Sequence, residues 1–126
     1  MERHELSRGR GRTKVSLLAK NLGRDLVLFI YNENAHIGAV AVGEYDYECE
    51  RASVSVITRL GHKDDTIAQR AAYLISKSLH KSVCVIAGIH LDNITREEME
   101  RLVENATVVV ESFIKSIERE AVLVRG

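Results

Sequence analysis

Apolar residues recur along this chain first with a strand period and then with a helical one, and the change divides it. Val15 to Ala19 and Leu26 to Tyr31 are aliphatic, β-favouring runs. Asn21-Leu22-Gly23-Arg24-Asp25 between them has the residues of a turn, so the pattern predicts a β-hairpin. Leu26-Val27-Leu28-Phe29-Ile30 does not alternate, which predicts that both faces of this strand are covered, one by helices and one by a partner or second layer. After a turn at Asn32-Glu33-Asn34, His36 to Gly43 reads as a third strand of small residues and Glu44 to Arg51 as a loop. Ala52 to Thr58 reads as a fourth strand, its Ser/Val alternation giving one buried and one wetter face.

Beyond Leu60-Gly61-His62-Lys63 the spacing turns helical: Ile67, Ala71, Leu74, Ile75, Ser78 and Leu79 form one stripe. Asp64 and Asp65 complement the dipole at its start, and His80 and Lys81 close it. Ser82 to Gly88 is a short apolar strand, and His90-Leu91-Asp92-Asn93 a connection. Thr95 and Glu98 then make a capping box, with Ile94 and Met99 as its hydrophobic staple. Met99, Leu102, Val103, Ala106, Val110, Phe113, Ile114 and Ile117 form a broad apolar stripe, which Val108 to Val110 widens. Ala121 to Val124 suits a final strand or a docking tail. Strands followed by segregated helices predict an α+β two-layer sandwich: a mainly antiparallel sheet of five to six strands with two helices on one face, in the order ββββαβα.

Length and charge narrow the possibilities. The chain has 126 residues, close to one domain, with 45% hydrophobic residues, enough for a core without metal or disulfide staples. Residues 15–126 are expected to form the domain, and residues 1–14, with Arg3, Arg8, Arg10, Arg12 and Lys14 around Gly9 and Gly11, a flexible basic arm. Its 18 basic and 18 acidic residues balance, which argues against a nucleic-acid binder; only the arm leaves room for nucleic acid or an acidic partner. Cys49 and Cys84 are too few for a disulfide framework, and no apolar run approaches a membrane span or a signal segment. The expectation is a soluble protein of the reducing cytoplasm. Cys84, inside an apolar strand, is expected to be a buried and inert thiol. The unalternating strand and the apolar breadth of the last helix predict a homodimer.

The common catalytic signatures are absent: no dinucleotide or phosphate loop, no zinc-spaced cysteines and no nucleophile elbow. This argues against an enzyme. The residues at element ends remain: His36, Gly61, His62, Lys63, His90, Asp92 and Asn93, with Gly38 and Gly88 as small neighbours that leave room for a ligand. Gly61-His62-Lys63 before a helix suits an anion, through free N–H groups and a lysine, although Asp64 and Asp65 oppose it. His36, His62, His90 and Asp92 offer an alternative, a small metal-dependent enzyme, because imidazoles and a carboxylate suit zinc or iron. These residues serve equally as caps and turn-formers.

His36-Ile37-Gly38-Ala39-Val40-Ala41, Gly61-His62-Lys63-Asp64-Asp65 and Ala87-Gly88-Ile89-His90-Leu91-Asp92-Asn93-Ile94-Thr95 resemble, in order, three segments of the LpdD-like family. That family includes the small D subunit associated with gallate decarboxylase and is described as a prenylated-flavin chaperone-like domain related in fold to proteasome assembly chaperones. The resemblance covers about Leu17 to Phe113; the basic arm and the extension after Ile117 depart from it. It implies a dimerising α+β sandwich without catalytic residues, assisting a prenylated-flavin-dependent decarboxylase by handling the cofactor or the apo-enzyme. His36, Gly38, Gly61, His62, Lys63, His90, Asp92 and Asn93 are the expected contacts to flavin mononucleotide or its prenylated form.

Overall fold

The computed structural model describes residues 3–59 and 64–125. Strands β1 (Arg3–Arg8), β2 (Val15–Leu22), β3 (Asp25–Tyr31), β4 (Ala39–Asp46) and β5 (Arg51–Thr58) precede helix α1 (Asp65–Leu79), strand β6 (Val83–Gly88) and helix α2 (Arg96–Arg125). A short 3-10 turn, Gly11–Thr13, joins β1 to β2. The strands form one sheet in the order β1-β2-β3-β6-β4-β5. Neighbours are antiparallel except β3 and β6, which the crossover through α1 makes parallel. This is the expected α+β sandwich, and the predicted hairpin is present with its turn narrowed to Gly23-Arg24.

Strand alternation sends one set of side chains under both helices. Val15, Leu17 and Ala19 of β2, Leu26, Leu28 and Ile30 of β3, Ala39 and Ala41 of β4, and Val83, Val85 and Ala87 of β6 are buried there. α1 meets them through Ala68, Ala71, Ala72 and Ile75, whose small size brings the helix close to the sheet. α2 supplies bulk: Leu102, Ala106, Val109, Val110, Ile114 and the fully buried Phe113. Burying one such large side chain contributes roughly 1.5–3 kcal/mol. α1 ends where His80 takes the left-handed conformation at φ 54°, its N–H donating to Ser76 O at 2.9 Å.

Four expectations change. The basic arm does not stay loose: Arg3–Arg8 pairs along its whole length with β2, from Arg3 opposite Lys20 to Arg8 opposite Val15. An edge strand needs few apolar residues, and here Leu6 packs against the core while the His4 ring meets Phe113 edge-on at 5.7 Å. Ala121 to Val124 continues α2 instead of forming a strand or docking, because no glycine or proline interrupts the helix after Thr95. Met99 is 41% exposed and faces the groove between the helices. Cys84 is half-buried on the helix-free face of the sheet.

The helices cover one face of β3, as expected, and the other face lies on the helix-free side of the sheet. Val27, Phe29 and Tyr31 alternate with the buried set and are half-buried, with no helix above them. Cross-strand pairing aligns Leu18, Phe29, Ile86, Val40 and Ile57 in one apolar row across five strands, with Ile57 73% exposed at its end.

Candidate functional site

The chain ends of β3 and β6 lie side by side, Tyr31 opposite Gly88, so the loops leaving them share one rim. Asn32, buried directly after β3, joins those loops. Its Oδ1 accepts from Asn34 N at 3.2 Å and from His90 N at 3.3 Å, while its Nδ2 donates to His90 O at 2.9 Å. Asn34 Nδ2 donates to the same carbonyl at 2.9 Å. Backbone groups left unpaired by the sheet are thus satisfied by side-chain amides, which holds the rim in one shape.

Asp64 is the buried centre of this rim. At the start of α1 its side chain makes no cap to its own helix; Oδ1 instead accepts from Ile89 N at 3.1 Å, beyond β6. Oδ2 lies 3.6 Å from His36 Nε2, and the His36 ring is held from its other side, where Nδ1 donates to Asn34 O at 2.9 Å. Around it Gly38 N donates to Ala87 O at 2.9 Å, Arg59 N to Gly38 O at 3.0 Å, and the Arg59 guanidinium to Ile37 O at 3.0 Å. A buried carboxylate is costly unless hydrogen-bonded and paired, and this one has both kinds of partner.

A second His–Asp pair stands outside the first. His90 Nε2 lies 3.0 Å from Asp92 Oδ1, both side chains well exposed, and the His90 ring meets His36 edge-on at 6.4 Å between centroids. Asn93 takes the left-handed conformation at φ 52°, turning the chain toward α2. Arg12 reaches in from the other side and donates to Asp92 O at 2.8 Å.

His36, Gly38, His90, Asp92 and Asn93 therefore lie along one rim. Gly61, His62 and Lys63 lie outside the described residues, between Arg59 and Asp64, both of which belong to this rim. Gly38 and Gly88 correct the sequence reading. Instead of leaving room for a ligand, they admit their own neighbours: a Cβ on Gly38 would fall 1.9 Å from Asp64 Oδ2, and one on Gly88 1.6 Å from His36 O. Among the described residues no group of three or more His, Cys, Asp or Glu side chains is arranged to hold a metal. Asp64 and Asp92 divide the two histidines between them. In the sequence Asp64 carries the signal of a dipole residue within the Gly61 to Asp65 segment, and Asn32 and Asn34 that of turn residues; none of these marks them as rim-builders.

A chain from the crystal structure of a chaperone complex for yeast 20S proteasome assembly superposes with a TM-score of 0.59, at 17% identity, covering 95% of this chain and 98% of that one. At that identity the likeness concerns the fold. No curated protein matches the chain. Residues 9–118 match the family of the prenylated flavin chaperone LpdD-like domain, a span that includes the three segments singled out in the sequence, and the chain belongs to that family.

Proposed function

We propose that the protein is a non-catalytic accessory of a prenylated-flavin-dependent decarboxylase in the cytoplasm, and that it handles flavin mononucleotide or its prenylated form for the apo-enzyme. The observation that carries this reading is the meeting of His36 and His90, from separate family segments, at 6.4 Å on a rim stiffened by Asn32 and Asp64. The residues fit the ring system of a flavin: the exposed His90–Asp92 pair can turn toward a carbonyl or the N–H group, while the His36 ring, whose nitrogens face Asn34 O and Asp64, offers a surface to pack against. Asp64 and Asp92 oppose a phosphate, so the phosphate is assigned to His62 and Lys63. Calorimetric titration with flavin mononucleotide and with riboflavin tests the assignment. His62→Ala/Lys63→Ala is expected to weaken the first ligand and leave the second unchanged; equal loss for both, or no affinity in the unmodified protein, contradicts it.

We further propose that the protein is a homodimer joined through the helix-free sheet face. The row Leu18–Phe29–Ile86–Val40–Ile57 supports this reading better than α2 does, since Val109 and Val110 are spent in the core. Apolar burial contributes roughly 25 cal/mol per Å², and a standard interface removes about 800 Å² from each partner. Among the described residues no helix is long and apolar enough to cross a membrane.

A further inference from the structure

We infer that the N-terminal segment and α2 form a second site, separate from the His36–His90 rim, that binds a phosphate dianion, free or as the monoester of a small molecule. Arg8, Gly9, Arg10 and Thr13 on one side and Arg101 and Asn105 on the other line an open cavity of about 670 Å³. Small-molecule sites typically measure roughly 300–1,000 Å³.

The charge pattern carries the argument. In a chain with 18 basic and 18 acidic residues, three arginines line one concavity. Other arginines near the N-terminus have carboxylates, Arg3 with Glu5 at 3.2 Å and Arg12 with Glu98 at 2.7 Å. Arg8, Arg10 and Arg101 form no ion pair among the described residues. Arg101 even has Glu97 and Glu104 one turn away on its own helix, in positions that favour pairing, and engages neither. Gathering like charges without internal partners is unfavourable until an anion fills the space between them.

The cavity is also preformed. Asn105 Nδ2 donates to Thr13 O at 2.8 Å, and Thr13 is buried. Gly9, at φ 83°, lies so close that a Cβ would come within 2.4 Å of Asn105 Nδ2. Arg12 adds its bonds to Glu98 and Asp92 O. The arginines are therefore presented on a clamped segment, which lowers the ordering cost of binding. Planar guanidinium forks match phosphate oxygens in pairs, and several of them together suit a dianion. The neighbouring first turn of α2 carries Glu97 and Glu98, with Glu100 just beyond, which interrupts any basic track that a nucleic-acid backbone needs.

The test is a titration of the full chain with inorganic phosphate, phenyl phosphate and a single-stranded DNA 12-mer, followed by amide NMR. Both phosphates are expected to shift the Gly9 and Asn105 signals, with tighter binding of phenyl phosphate marking an ester ligand and equal binding marking free phosphate. Arg101→Gln, on an exposed helix position, is expected to weaken binding about tenfold or more with an otherwise unchanged spectrum. No shift at Gly9 and Asn105 in the unmodified protein, unchanged affinity in Arg101→Gln, or DNA binding tighter than either phosphate would overturn the inference.

Discussion

Arg12 and Glu98, 86 residues apart in sequence, meet at 2.7 Å and fasten the return of the N-terminal segment to the first turn of α2. Glu98 is already half of the capping box: its Oε1 accepts from Thr95 N at 3.1 Å, and its own N–H donates to Thr95 Oγ1 at 3.1 Å. One carboxylate therefore caps the helix and holds the segment.

This gives a pH dependence. The Arg12 hydrogen bond, then the Thr95 backbone N–H, lower the Glu98 pKa from 4.5 to about 2. A carboxylate with a depressed folded-state value contributes stability that is fully present above its unfolded value and is lost as pH falls toward the folded one. The unmodified protein is expected to lose stability between pH 4.5 and about 2 partly through this group, whereas Glu98→Gln is less stable at neutral pH and has a flatter profile in that window. Urea denaturation at a series of pH values reads the difference; parallel profiles for the two proteins contradict it.

The two rim glycines should differ in their response to alanine. At Gly88 the added methyl meets the His36 backbone, which cannot move without opening the rim, whereas at Gly38 it meets the Asp64 side chain, which can rotate away at the loss of its bond to Ile89 N. Overpacking of this kind costs about 1–3 kcal/mol, and Gly88→Ala is expected at or above the top of that range, Gly38→Ala near its middle. Denaturation midpoints that rank them in the opposite order contradict the packing described.

Much of the architecture was legible because apolar β-favouring runs mark β2 and β3, alternation marks β5 and helical spacing marks α1 and α2, and because the Thr95–Glu98 signal depends only on local bonds. β1 was not legible: an edge strand exposes one side, and Arg3, Glu5, Ser7 and Arg8 read as a solvated tail until β2 is placed beside them. The β-branched tail after Ile117 misled for the opposite reason, since a helix propagates where nothing breaks it. At the rim, the histidines stood out as residue types, but Asp64 did not. Its role depends on a bond across the fold to Ile89, and no spacing in the chain encodes that.

The sheet face makes a prediction of its own. Phe29→Glu combined with Ile57→Glu puts charge into the apolar row while leaving the buried face of β3 and β5 untouched. Light scattering at micromolar concentration is expected to give a dimer for the unmodified chain and a folded monomer for the variant. A monomer in both cases rejects the sheet-to-sheet dimer.

The central claim is that this chain assists the loading of a prenylated-flavin-dependent decarboxylase, and reconstitution tests it most directly. Apo-decarboxylase from the same organism is mixed with prenylated flavin mononucleotide, with and without one equivalent of the protein, and the active fraction is followed over time. The account predicts faster and fuller activation with the protein present, and a reduced effect with His90→Ala, whose side chain is well exposed, at unchanged thermal stability. Identical activation curves with and without the protein would contradict it.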